Sequence, residues 1–238
     1  MINYFKDIVS DFPDELKQVN TPAGVHLFDV NENPTLLDKT KADLFHQIVA
    51  KILWGSLRCR PDLMLALSFL TSRVQYPDTD DWKKLNRLVS YINSTIDLKL
   101  RLTADSAGVI KWWVDTSFAT RNGMRSQTGA CMSMGGGAAL SISKMQKLTT
   151  KSSTKAELVG VDDVMPQVIW TRNFLLAQGY DIKNNIVYQD NKSAILLETN
   201  GIGSSSKRTR HINIRFFFVA DRIKAGELQV EFCGTNSN

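Results

Sequence analysis

Three acids carry the chemistry that this sequence could do: Asp115, Glu157 and Asp190. Asp115 follows the apolar run at 110–114, and Asp190 follows a second apolar run at 186–189. Glu157 falls in the first turn of a helix that Ser152, Ser153 and Thr154 are suited to cap. Strand ends and helix starts gather at one edge of an α/β sheet, so three carboxylates far apart in sequence can converge there. Converging carboxylates repel one another, and a cation relieves that repulsion. Oxygen donors of this hardness suit magnesium or manganese. Two such ions about 4 Å apart can activate a water and stabilise the leaving oxygen in phosphodiester cleavage. Taken singly, each acid has a plainer role. An aspartate at a strand end turns the chain, and a glutamate early in a helix answers its dipole.

The elements that must position these acids follow from periodicity. Residues 108–238 read as strands at 110–114, 130–134, 138–143, 186–189 and 228–233, interleaved with helices. Leu98, Leu100 and Leu102 alternate with polar residues and suggest one more strand. Gly135, Gly136 and Gly137 read as a hairpin turn, because no helix follows them to make a phosphate loop. Pro166 is expected to open a new helix rather than sit inside a long one. The sum is an α/β fold, a mixed sheet with flanking helices.

Upstream the texture differs. Residues 1–40 read as an irregular lead-in punctuated by Pro13, Pro22 and Pro34. Residues 41–107 are mostly helical, with Leu44, Phe45, Ile48, Val49 and Leu53 on one face. Pro61 is placed to start a second helix. A third is expected near Asp80, with Trp82, Leu85, Leu88, Val89 and Ile92 as its buried stripe.

The 238 residues are 43% hydrophobic and 22% charged, enough for one large or two modest globular domains. No run of about 18 apolar residues occurs, so no membrane span is expected. Cys59, Cys131 and Cys233 lack metal-ligand spacing and read as reduced thiols, which places the chain inside the cell, in cytoplasm or nucleus. The net charge of +5 favours an anionic partner without identifying it.

Several linked motifs then narrow the reading. WWVDTSFA, MRSQTGACMSMG, SISKMQKLTTKSSTKAELVGVDD, VYQDNKSAILL and SSSKRTRHINIRFFFVADRI resemble, in order and spacing, the ribonuclease H region of Copia-type retrotransposon Pol polyproteins. The upstream stretches TPAGVHLF and RPDLMLALSFLTSRVQYPDTDDWKKLNRLVSYINSTIDLKL are similar to the reverse transcriptase thumb and connecting region of the same polyproteins.

The resemblance implies a ribonuclease H-like mixed five-stranded sheet over 108–238, preceded by the helical segment. It implies that Asp115, Glu157 and Asp190 are the first three catalytic, metal-binding carboxylates. The implied substrate is the RNA strand of an RNA–DNA hybrid, and the implied cofactor is Mg2+ or Mn2+. Water attacks in line, leaving a 3′ hydroxyl and a 5′ phosphate. Contacts to 2′ hydroxyls across the wide minor groove would select RNA. The parent reverse transcriptase polyprotein is the implied protein partner.

Two positions depart from the family pattern. Lys155 stands where an acid is common, on a different helix face from Glu157. The family's fourth carboxylate lies in an Ala-Asp pair past the last strand, and no such pair follows GTNSN here. The two-metal site is therefore expected to be incomplete. Three readings follow in order: a magnesium-dependent ribonuclease H, a non-catalytic truncated relic that keeps the fold and nucleic-acid binding, and an integrase-like nuclease of the same fold superfamily, against which the spacing after Asp190 and the upstream polymerase-like segment argue. No polymerase activity is expected, since Asp80 and Asp81 fit a helix start and no Tyr-Val-Asp-Asp-type motif is present.

Cations supply the secondary signals. Lys207, Arg208, Arg210 and Arg215 beside a Ser-rich loop are candidate phosphate contacts. Lys144, Lys147 and Lys151, just before the Glu157 helix, are candidates for the same groove. His211 is a candidate proton-transfer helper, against the plainer role of a capping or core residue.

Overall fold

The computed structural model describes residues 1–105, 108–200 and 218–234. The chain divides into two compact units, Met1–Leu100 and Arg101–Asn238.

The first unit is helical. It contains α1 (Ile2–Asp11), α2 (Lys39–Cys59), a short 3-10 helix (Pro61–Leu63), α3 (Met64–Arg73) and α4 (Thr79–Ser94). Asp38 caps α2 by accepting from the Lys41 amide. Asp78 and Asp81 form a reciprocal capping box at the start of α4, so Asp80 and Asp81 do mark a helix start. The core gathers Phe45, Ile48, Ile52, Leu63, Leu67, Leu70, Leu85, Leu88 and Ile92.

The irregular lead-in expected at 1–40 is corrected over its first residues, which form α1. Phe5 and Ile8 lie three apart on one face of α1 and are both buried, with Phe12 just past its end. A Cβ on Gly55 would come 2.7 Å from the Phe5 ring, so glycine in α2 is what lets α1 approach. Phe12 stacks on Trp82 at 5.2 Å, which fixes the exit from α1.

The second unit is built on a sheet of five strands: β2 (Val109–Arg121), β3 (Arg125–Ser133), β5 (Leu140–Met145), β6 (Asn184–Gln189) and β7 (Gln229–Phe232). Its order is β5-β3-β2-β6-β7. The β5-β3-β2 part is antiparallel, while β6 runs parallel to both β2 and β7. The expected fold class is therefore what the chain adopts: a mixed five-stranded α/β sheet with flanking helices, beside a helical unit. Gly123, at φ 69, makes the turn between β2 and β3, where a side chain would be strained. Two further short strands, β1 (Thr103–Ala104) and β4 (Gly135–Gly136), pair with each other.

Long α5 (Ser153–Ala177) packs over β2 and β3, and α6 (Lys192–Asn200) packs against α5 and β7. Ile110, Trp112, Val114, Val161, Val164, Met165, Val168 and Val187 form the core between them. Residues 218–224 are helical and add Val219 to that core. Among the described residues no helix is long and apolar enough to cross a membrane.

Two more expectations are corrected here. Pro166 lies inside α5 and does not open a new helix. A helix-interior proline costs about 3 kcal/mol. Burial of Leu158, Val161, Val164, Met165 and Val168 on both sides of it offsets that cost, at about 1.5–3 kcal/mol for each large apolar side chain. Leu98, Leu100 and Leu102 form no strand. Leu98 and Leu102 are exposed, so no buried face rewards the alternation.

Candidate metal centre

Two of the three acids are placed by strand register. In the parallel β2–β6 pair the last partners are Trp113 and Tyr188. Asp115 and Asp190 each lie two residues further on, so both project from neighbouring strands on the face that carries those two rings. Parallel neighbours run about 4.8 Å apart, which brings the two carboxylates side by side. Trp113 and Tyr188 stack at 5.4 Å directly beneath them. Asp115 is not at a strand end, as the sequence suggested. It sits mid-strand, because β2 continues to Arg121 beyond its parallel partner, with a register shift between Ser117 and Arg121. The Thr116 amide donates to Asp115 Oδ1 at 2.9 Å and fixes that carboxylate.

Glu157 arrives from α5. Ser152 caps the helix by accepting from the Lys155 amide, which puts Glu157 in the second turn rather than the first. Gln146 holds that end of the helix to the sheet. Its buried amide donates to Thr128 Oγ1 at 3.0 Å and to the Ala156 carbonyl at 2.9 Å. Gly160, one turn on, faces Thr116 so closely that a Cβ would come 2.5 Å from Thr116 Oγ1. The glycine lets α5 lie against β2 at the level of the acids.

One carboxylate oxygen from each of Asp115, Glu157 and Asp190 lies within 4.8 Å of the other two. Asp115 is exposed, Asp190 half-buried and Glu157 buried at 5% exposure, so the group opens outward from a dry base. Burial, then the charges of Asp115 and Asp190, push the Glu157 carboxyl up to about 8. Side-chain hydrogen bonding to Thr116 and Gln189 pulls the other way. Among the described residues Glu157 Oε2 has no hydrogen-bond partner. Three clustered carboxylates, one with a buried oxygen that no described residue partners, fit a hard divalent cation.

The other sequence candidates fare differently. Lys144 donates to the Asp163 carbonyl at 2.8 Å, so its ammonium is tied to α5. Lys147 and Lys151 are exposed. Lys207, Arg208, Arg210, His211 and Arg215 fall outside the described residues.

Sequence reasoning missed four residues around the trio: Thr116, Gln146, Gln189 and Glu198. Glu198 is 1% exposed on α6, and burial followed by the Glu157 charge raises its carboxyl well above the usual range. Its signal was the spacing from Ala194, since residues four apart share a helix face and Ala194 is buried.

No family model matches the chain. A Pol polyprotein from transposon TNT 1-94 of Nicotiana tabacum is 27% identical over 228 residues, 93% of this chain, and the chain spans 17% of that relative's length. Among solved structures, the foamy viral protease-reverse transcriptase in complex with RNA/DNA hybrid matches 88% of this chain and 26% of its own, with TM-score 0.50 and 11% identity. A ribonuclease H1 isolated from compost by a metagenomic approach matches 54% of this chain and 86% of its own, with TM-score 0.42 and 13% identity. The second unit is a mixed five-stranded α/β sheet with flanking helices, and the chain is a homologue of the Pol polyproteins of transposons.

Proposed function

We propose that the second unit is a metal-dependent ribonuclease that hydrolyses the RNA strand of an RNA–DNA hybrid. The observation that carries this reading is the convergence of Asp115, Glu157 and Asp190 to within 4.8 Å from three separate elements. In this reading the three are the catalytic, metal-binding carboxylates, and the cofactor is Mg2+ or Mn2+. The ion, when bound, supplies Lewis acidity at the scissile phosphate and lowers the cost of deprotonating the attacking water. Asp115 and Asp190 present oxygens from the open side, where the phosphodiester enters. Glu157 contributes from the dry side and gives up its proton on binding the ion. Gln146, Ser152 and the Thr116 amide hold the acids in place, so little reorganisation is needed. Lys147, Lys151 and the cations at 207–215 are proposed to contact hybrid phosphates.

The helical unit, in the same reading, corresponds to the thumb and connecting region of the parent reverse transcriptase. The hybrid and the parent polyprotein are the partners. Nothing in that unit is assigned polymerase chemistry, since Asp78 and Asp81 are both engaged in capping α4.

The test is cleavage of an RNA–DNA hybrid with Mg2+ by the wild-type chain and by Asp115→Asn. The expected result is loss of at least about 100-fold in the variant, comparable to removing one strong electrostatic contact to the transition state. Equal cleavage by both, or none by either, overturns the enzyme reading. Hybrid binding without cleavage by the wild type would leave a non-catalytic relic.

A further inference from the structure

A phosphodiester strand brings negative charge to a centre that is itself built from three acids. A bound ion answers the scissile phosphate, but the phosphates beside it need cations from the chain. On the α5 side Lys144 is tied to the Asp163 carbonyl. On the other side, where β6 and β7 end, the fold holds a different lysine in a defined place.

Lys192 opens α6, two residues after Asp190, and is exposed. Its Nζ stands 4.6 Å from the centre of the Phe232 ring. Phe232 ends β7 and pairs in parallel register with Gln189, the residue before Asp190. The Cys233 amide donates to the Gln189 carbonyl at 2.9 Å, which fixes the end of β7 at the level of the acids. Neighbouring strands run about 4.8 Å apart, so the ammonium lies on the order of 10 Å from the trio. Charge still acts over such a distance at about 0.1 M salt.

Two features set Lys192 apart from an ordinary solvated lysine. Phe232 is 51% exposed, so its ring offers the cation a face at the surface. Among the described residues Lys192 forms no ion pair, although Asp190 is only two residues away. The ring thus keeps the charge beside the acids without letting it neutralise them. An ammonium placed in this way keeps its donors for an anion from outside the chain.

We propose that Lys192, held over Phe232, contacts a nucleic-acid phosphate next to the scissile one. This rests on the reading of the second unit as a hybrid ribonuclease. It adds a binding residue on the β7 side of the centre, outside the cation runs that the sequence singled out. Lysine serves there as a point charge, so the contact sets the position of the strand over the acids and carries no base preference.

The experiment follows binding of a fluorescently labelled RNA–DNA hybrid to the full chain by anisotropy. EDTA is present so that no strand is cut, and the titration is repeated over a series of KCl concentrations. The wild type is compared with Lys192→Ala, Lys192→Arg, Phe232→Leu and the exposed control Lys183→Ala. Loss of one phosphate contact lowers the slope of log affinity against log salt by about 0.9, which is on the order of eightfold in affinity at about 0.1 M salt. Lys192→Ala should show both changes. Lys192→Arg, which keeps the charge, should bind nearly as the wild type does. Phe232→Leu keeps the lysine but not its perch and should weaken binding by less than Lys192→Ala. The control should be unchanged. Wild-type affinity and salt slope in Lys192→Ala would overturn the proposal, make the lysine a solvated surface charge and leave the trio standing. Equal losses in Lys192→Ala and Lys192→Arg would overturn it too, since a phosphate contact needs the charge and not the exact side chain. No hybrid binding by the wild type would overturn the hybrid reading and the proposal together.

Discussion

The two units treat buried charge in opposite ways. In the helical unit the deep acids are enclosed by partners built into the chain. Asp78 Oδ1 accepts from the Asp80 and Asp81 amides, both at 2.8 Å. Asp81 accepts from the Asp78 amide at 3.1 Å and from Arg73 Nε at 2.9 Å. Burial still raises the Asp81 carboxyl, and the Asp78 amide and Arg73 pull it back. Arg60, 3% exposed, is clamped by Asp62 and by the Thr95 carbonyl and hydroxyl. In the sheet unit Glu157 and Glu198 are as deep, and oxygens on both lack partners among the described residues. The contrast separates two uses of a buried acid. One finishes a helix end, and its stabilisation is complete without a ligand. The other is left with oxygens that no described residue partners.

The strongest way to break this comparison is pH. The Glu157 carboxyl is raised from about 4.5 to about 8. Between those values the folded chain holds a proton that the unfolded chain has released. Stability of the metal-free protein must therefore fall as pH rises through that window, by on the order of 1 kcal/mol per pH unit for one such group. Glu198, raised in the same direction, adds to the slope. Unfolding midpoints in chelator from pH 5 to pH 8 should decline for the wild type and decline less for Glu157→Gln. A rising wild-type profile would mean that the sheet unit's acids are compensated after all.

The helical unit is tested by removing a partner. Asp81→Ala removes the shorter of the two ion pairs of Arg73, leaving the one to Asp78, and opens the capping box of α4. Breaking a pair of this kind costs about 3 kcal/mol, at the low end because Arg73 is partly exposed. Urea unfolding of the variant measures the loss. A loss below about 1 kcal/mol, the size of an ordinary cap, would show that the enclosed network adds nothing.

How much of this was legible in the sequence depends on whether the signal was local. The trio was legible, because an acid after an apolar run and a serine-capped helix are local patterns. The outer edge of β2 was not. A strand that outruns its parallel partner is specified by β3, whose Thr128 and Gln127 pair with Thr116 and Ser117, and not by anything in 109–121 alone. Helix α1 was hidden because its buried Phe5 and Ile8 lie among exposed charges and end at Pro13. Pro166 was read by its own propensity, which the packing of α5 overrides. Glu198 was passed over because a glutamate on a helix is usually solvated. Helix α6 packs against α5 and β7, contacts that no local pattern in 192–200 announces.

The smallest effect gives the finest test of the contrast, since both units cap a helix beside an acid. Ser152 Oγ accepts from the Lys155 amide at 3.3 Å, a single long bond from a neutral hydroxyl. The Asp78–Asp81 box offers a carboxylate to two amides and takes a third bond back. Charge-assisted bonds are roughly twice as strong as neutral ones. Gln146 also grips the same turn of α5 through the Ala156 carbonyl, so the helix start does not depend on its cap alone. Ser152→Ala should therefore cost about 1 kcal/mol or less, and hydrogen exchange should quicken only at the first amides of α5. If Ser152→Ala cost as much as Asp81→Ala, the sheet unit would be holding Glu157 by capping energy, as the helical unit holds Asp81. The acids around it would then be scaffolding rather than a site left open for a ligand.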